Sequence, residues 1–270
     1  MSGPNILSIA GSDPSGGAGV QADLKAFSAL GGYGMTVITA LTAQSTRGVT
    51  GVLEVPADFV AHQLDTLLAD ARVDAVKIGM LATADVVAAV VKALDTYRPP
   101  HVVLDPVMVA KSGDRLLAAE AVEAVRAELL PRADLVTPNL PEAADLLGTA
   151  EADGLDAMRR QADRLLELGA RRVLLKGGHL GGPRSTDLLV GRDGTAELFS
   201  AERVATRNTH GTGCTLSSAI AALRPRRDGF PAAVRDAKAY LTEALRHADL
   251  LDAGTGKGPV HHFHAWWAAA

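Results

Sequence analysis

Short apolar runs alternate with longer helix-like stretches along most of this chain, and that alternation limits the folds open to it. The runs Ile6–Ala10, Met35–Leu41, Ala75–Met80, His101–Asp105, Asp134–Thr137 and Arg172–Lys176 are nearly continuous in hydrophobicity, as strands covered on both faces are. Between them lie the helical stretches Val20–Leu30, Asp58–Ala71, Ala84–Tyr97, Asp114–Leu130, Pro141–Leu147 and Asp153–Leu168. This βαβα order predicts an α/β fold, a three-layer sandwich with a mostly parallel central sheet and helices on both faces. The later stretch DLLVGRDGTAELFS holds two alternating runs around Arg192-Asp193-Gly194, a β-hairpin for the sheet's edge. Helices at Gly213–Leu223 and Pro231–Leu250 complete the pattern. With 270 residues, 47% of them hydrophobic, and no repeat or linker, the chain is expected to form one domain over residues 1–270.

In such a sheet the ligand binds beyond the carboxyl ends of the strands. Those ends are rich in polar and glycine residues here: GSDPSGGAG, TAQSTRG, GM, DPVMVAKSG, PNLPE and GGH follow the six runs in turn. The segment GAGVQA, Gly17 to Ala22, formally matches a dinucleotide-binding fingerprint. However, the apolar run stops well before Gly17, and Tyr33 to Arg47 holds no acid to bind a ribose hydroxyl. No Walker-type phosphate loop occurs either.

A different turn carries more chemistry. In THGTGC, Gly211 and Gly213 let the backbone approach a ligand closely, and the helix that follows leaves its first N–H groups without intrahelical partners. Together they form an anion site. Cys214, the only cysteine, falls in the helix's first turn, where the positive end of the dipole is expected to lower its pKa and favour thiolate. The alternative is a small apolar residue packed at a helix start.

The turn resembles that of the ribokinase-like superfamily, in which G-[AT]-G-x precedes a helix, forms an anion hole and supplies x as base for an acceptor hydroxyl. In most sugar kinases of that superfamily x is Asp. Cysteine there resembles the branch of hydroxymethylpyrimidine/phosphomethylpyrimidine kinases of thiamine biosynthesis. The blocks LSIAGSDPSGGAGVQADLKAF, ALTAQST, VKIGML, VVLDPVMVAKSGDRLL, TPNLPEAADLLG, LLKGGH, THGTGCTLSSAIAA and GKGPVHHF follow that family's order and spacing over essentially the whole chain.

The resemblance implies a kinase that uses ATP and Mg2+ to phosphorylate 4-amino-5-hydroxymethyl-2-methylpyrimidine (HMP) and then HMP phosphate. It implies two neighbouring pockets. Gly11, Asp23, Gln44, Met80 and Val107 match pyrimidine-binding positions, and a Gln44 amide, both donor and acceptor, suits an aminopyrimidine edge. Cys214, Gly211, Thr212, Gly213 and Lys176 would be catalytic, with Asn139, Lys176 and Gly177 on ATP. Glu142 of NLPE and Asp105 would orient magnesium through its water shell. Lys111, Ser112 and Gly113 match a flap over the pocket, and a homodimer is implied as well.

Rivals remain open at this stage. Pyridoxal also presents a hydroxymethyl group on a nitrogen heteroaromatic, so a pyridoxal or pyridoxine kinase is one alternative, and a noncatalytic pyrimidine sensor is another. With 27 Lys plus Arg against 31 Asp plus Glu, net charge −4, and no basic block, a nucleic-acid surface is not expected. No apolar run is long enough to span a membrane, and Met1 is followed by no basic, apolar leader. A cytoplasmic protein without membrane or nucleic-acid partners is therefore expected. The histidines of VHHFH are expected to be solvated and to hold no transition metal; Trp266 and Trp267 pack either on the body or on a second subunit.

Overall fold

The computed structural model describes residues 3–108 and 119–267. Eight strands form one sheet in the order β10-β9-β8-β7-β6-β5-β1-β2. Six run parallel: β1 (Asn5–Ala10), β2 (Tyr33–Ile38), β5 (Ala75–Ile78), β6 (Val102–Leu104), β7 (Leu135–Val136) and β8 (Arg172–Lys176). The predicted edge hairpin is present as β9 (Arg184–Gly191) and β10 (Ala196–Glu202), antiparallel to each other, with β9 antiparallel to β8.

The continuous apolar runs are explained by what covers the sheet. Along each strand, alternate residues enter opposite cores, as a pleat of period two requires. Leu7, Ile9, Val76, Ile78, Val102, Leu104, Val173 and Leu175 pack into one core. That core lies beneath α2 (Ala57–Leu68), α3 (Ala84–Tyr97), α4 (Ala119–Ala124), α5 (Leu140–Leu147) and α6 (Leu155–Glu167). Ile6, Ala75, Val103, Leu135 and Leu174 enter the other core, beneath α1 (Gly19–Ala29), α7 (Thr212–Leu223) and α8 (Gly229–Arg246). The three-layer expectation is met.

Three sequence-based expectations change. The run Met35–Leu41 is not one strand. It breaks at Thr39, whose hydroxyl donates to the Met80 carbonyl at 2.6 Å, and the chain then leaves the sheet. It continues as a separate antiparallel pair, β3 (Ala40–Ser45) and β4 (Gly48–Glu54), standing over the carboxyl ends of the strands. The helix expected over Asp114–Leu130 begins, among the described residues, at Ala119 and passes through a π turn at Val125–Leu129; Lys111, Ser112 and Gly113 lie outside the described residues. The histidine-rich tail is packed rather than solvated. His262 is buried against α7 with Nε2 3.0 Å from the Thr215 hydroxyl, His264 stacks on His247, and Trp267 stacks on Phe263. No group of three or more His, Cys, Asp or Glu side chains placed to hold a metal ion occurs among the described residues, and no helix there is long and apolar enough to cross a membrane.

Candidate active site

A cavity of about 680 Å³ opens at the carboxyl ends of the parallel strands. Gly11, Gln44, Met80, Asp105, Val107, Asn139, Glu142, Lys176 and the turn Gly211, Thr212, Gly213 and Cys214 all line it. Residues distant in sequence meet there because most of them stand at a strand end or in the first turn of a helix at one rim. β3 closes one side: its alternate residues Thr42 and Gln44 face inward, and the Thr42 hydroxyl donates to the Ser12 carbonyl at 2.9 Å. Met80 packs with Ala40, Ala82 and Val107 to make an apolar wall next to Gly11.

The turn before α7 is built by glycine. Gly211 has φ +73, and a Cβ there would lie 1.7 Å from the Gly17 carbonyl oxygen, so no other residue fits without displacing the β1–α1 loop. Gly211 is the N-cap and provides no side-chain acceptor, which leaves the start of α7 oriented toward the cavity as an electropositive terminus. His210 pins this turn to the loop after β1. Its Nε2 lies 2.7 Å from Asp13 Oδ2 and 3.4 Å from the Gln44 amide nitrogen. Burial opposes ionisation of Asp13, but His210 and the Ser15 hydroxyl and N–H outweigh it and hold the carboxyl down at about 2.

At the centre of the rim stand a lysine and two acids. Lys176 Nζ donates to Asp105 Oδ1 at 2.8 Å and lies 3.7 Å from Glu142 Oε2. Asp105 also accepts from Thr137 and Ser217, both at 3.2 Å. Burial would neutralise this carboxyl, yet Lys176 and Lys77 keep its pKa below the usual range. Glu142 behaves differently. Burial pushes its carboxyl up to about 7, with Lys176 opposing and Asp105 reinforcing the rise. It forms a reciprocal cap at the start of α5: Glu142 Oε2 accepts from the Asn139 N–H at 2.7 Å, and the Asn139 side chain accepts from the Glu142 N–H at 2.8 Å. Gly213 leaves room for this cluster, since a Cβ there would lie 3.2 Å from Lys176 Nζ.

Three expected roles need correction. The thiol of Cys214 is not acidified by the helix terminus. Burial pushes it up to about 11; Lys77 and the Gly19 N–H oppose that rise, while Asp23 and Asp105 add to it. Asp23 is absent from the cavity lining and fully buried, with both carboxylate oxygens occupied by Lys77, Ser8 and Ser218, so it reaches the cavity only through Lys77. Gly177 is also off the lining. Its N–H donates to Asp187 Oδ1 at 3.0 Å, and a Cβ would fall 2.1 Å from the Thr186 carbonyl oxygen, so this glycine serves close packing of β8 against β9.

Sequence reasoning passed over Lys77, Asp13, His210, Asp187 and Lys238. Lys77 had a usable signal, a lysine within the buried apolar run AVKIGM, which requires an anion beside it. Lys238 Nζ donates to Asp187 Oδ2 at 2.6 Å, and both residues line the cavity. Val204, Leu216, Leu241 and Leu245 add apolar surface to the lining, beside the polar Arg203 and Thr242.

Comparison with known proteins agrees with this architecture. A hydroxymethylpyrimidine/phosphomethylpyrimidine kinase of Escherichia coli (strain K12) is 56% identical over 263 residues, spanning 97% of this chain and 98% of its own. The ADP complex of Bacillus subtilis pyridoxal kinase superposes with a TM-score of 0.89 at 36% identity, covering 98% of this chain and 99% of that one. A phosphomethylpyrimidine kinase from Clostridium difficile superposes with a TM-score of 0.79 at 42% identity, covering 90% and 99%. The profile of the family described as phosphomethylpyrimidine kinase matches residues 13–261, and with the near full-length identity to its relatives this establishes that the chain belongs to that family.

Proposed function

We propose that this chain is an ATP-dependent kinase that phosphorylates HMP to HMP phosphate and HMP phosphate to HMP diphosphate in thiamine biosynthesis. The observation that carries the reading is one cavity lined together by Cys214 at the start of α7, by Gln44 and the apolar Met80 and Val107, and by the charged Lys176 and Glu142. In this reading Gly11, Met80 and Val107 contact the flat ring. The Gln44 amide pairs with the aminopyrimidine edge. The Val204, Leu216, Leu241 and Leu245 trough takes the nucleotide base.

Phosphoryl transfer depends on positioning and charge more than on covalent chemistry. The acceptor oxygen attacks the γ-phosphorus as the bond to ADP breaks. N–H groups of the Gly211–Cys214 turn face the oxygens that gain charge, and Lys176 offsets that charge from the side. Asn139 holds Glu142 in place through the reciprocal cap. For HMP, the hydroxyl proton passes to the sulfur of Cys214 in its thiolate form, which burial makes the minor form near neutral pH. HMP phosphate is already an anion and needs no base, and a fixed carboxylate in place of the thiol would repel it.

The residues present also fit magnesium. Glu142 lines the cavity, its Oε1 takes no hydrogen bond among the described residues, and Asp105 stands across Lys176 from it. Two carboxylates suit a hard cation that keeps most of its waters. When bound, the ion would neutralise phosphate charge.

The remaining parts of the reading concern context. Residues 1–270 act as one domain, since both cores share a single sheet. A homodimer forms through the outward face of the β3–β4 pair, where the cross-strand partners Leu41 and Leu53 are exposed. Action in the cytoplasm fits an ATP-consuming enzyme whose one thiol stays reduced. Similarity to pyridoxal kinases supports a second reading, pyridoxal as acceptor in the same pocket. A noncatalytic sensor would have no use for Lys176, Glu142 and Cys214 held together. The test is product analysis of separate incubations of MgATP with HMP, HMP phosphate and pyridoxal. Mono- and diphosphate from the pyrimidines, with slower turnover of pyridoxal, is expected; preference for pyridoxal would replace the first reading by the second, and no ADP from any acceptor would favour the sensor.

A further inference from the structure

Lys77 is fully buried in the middle of β5, yet it lines the floor of the cavity. Its ammonium donates to both Asp23 oxygens at 2.9 Å. The carboxylate is saturated, because Ser218 also donates to Oδ1 at 2.7 Å and Ser8 to Oδ2 at 2.6 Å. Lys77 is not. An ammonium has three protons, and the third meets no acceptor among the described residues. Burial would favour the neutral amine, but Asp23, with Asp105 beyond it, keeps the lysine charged and its pKa above the usual value.

The ammonium is aimed by its surroundings. Ser218 lies four residues after Cys214 on α7, one turn along the same helix face, so the carboxylate that grips Lys77 is fixed to the helix that carries the cysteine. Gly79 makes space, since a Cβ there would fall 2.9 Å from Nζ. Of the two other lysines on the cavity lining, Lys176 pairs with Asp105 and Glu142 and Lys238 pairs with Asp187.

An alcohol acceptor uses this cation only indirectly, through its opposition to the rise of the Cys214 thiol's pKa, whereas a monophosphate ester arrives with about 1.5 to 2 negative charges of its own. We propose that Lys77 is a specificity-determining residue for the second phosphorylation, its remaining N–H binding an oxygen of the phosphate already on the acceptor while Asp23 holds the ammonium in place. This rests on the two-acceptor reading above.

The experiment compares kcat and KM for HMP and for HMP phosphate, at saturating MgATP, in wild type, in the double variant Lys77→Met/Asp23→Asn, and in Gly79→Ala. The double variant removes the charge pair together, so no lone buried ion is left. Its kcat/KM for HMP phosphate is expected to fall at least tenfold more than that for HMP, mostly through KM. Gly79→Ala displaces the flexible ammonium without removing it, keeps the comparison available if the double variant does not fold, and is expected to raise KM for HMP phosphate more than for HMP. Equal losses for both acceptors, or a larger loss for HMP, in an enzyme whose wild type turns over both, would overturn the role of Lys77 alone. A wild type inert toward both pyrimidines would overturn the functional reading and this inference with it.

Discussion

Cys214 occupies the position where a carboxylate would be the simpler base, and its environment explains the difference. With the thiol pushed up to about 11, its resting state near neutral pH is uncharged. The two half-reactions should therefore respond differently to pH. The rate with HMP is expected to climb as pH rises from 7 toward 10, following the growing thiolate fraction, whereas the rate with HMP phosphate should level off once that ester is fully ionised, above its second pKa of about 6. Cys214→Asp should impair HMP phosphate at least tenfold more than HMP; parallel pH profiles and equal losses would remove the thiol's special role. Glu142 makes a second prediction at this scale. A carboxyl pushed up to about 7 must lose its proton before it attracts a cation, so the magnesium concentration giving half-maximal rate should fall as pH rises from 6 to 8. Glu142→Gln should remove most of that dependence.

The β3–β4 pair shows at the level of elements what the chain could and could not reveal beforehand. Its inner residues Thr42 and Gln44 serve the cavity, and its outer residues Leu41 and Leu53 are exposed across from each other. Leu53→Asp is expected to convert a dimer into monomers in sedimentation while leaving the thermal transition within a few degrees; a monomeric wild type, or a dimer unaffected by the change, would contradict the proposed interface. Periodicity could not reveal this pair, because TVITAL reads as one apolar run. The break comes from a tertiary bond, Thr39 to the Met80 carbonyl, which no local pattern encodes. The parallel strands were legible because burial on both faces leaves a continuous apolar signature, and the Gly211–Cys214 turn was legible because glycine spacing records a backbone requirement. The roles of Asp23 and Gly177 were not, since the same residue type serves equally to contact a ligand or to hold what contacts it. Only the saturation of Asp23 by Lys77, Ser8 and Ser218 separates the two.

Across the whole molecule, segments from both ends of the chain converge on α7. The loop after β1 reaches its start through Asp13 and His210, and the tail reaches its first turn through His262 and Thr215. Burial holds His262 down at about 3, with Lys25 and His261 adding to the effect. A histidine with a lowered folded-state pKa leaves the unfolded chain binding the extra proton, so stability falls as pH drops below about 6.5. This one residue should cost about 2 kcal/mol between pH 6.5 and pH 5. Chemical denaturation of wild type and His262→Gln at both pH values should show the variant losing less stability over that interval; an equal loss would mean that other groups govern acid sensitivity. The central claim, however, is that one pocket serves two acceptors of different charge. It is tested most directly by the initial rate of HMP phosphorylation in the presence of increasing HMP phosphate. One shared pocket predicts competitive inhibition with a constant equal to the KM of HMP phosphate as substrate, whereas additive rates without competition would contradict it.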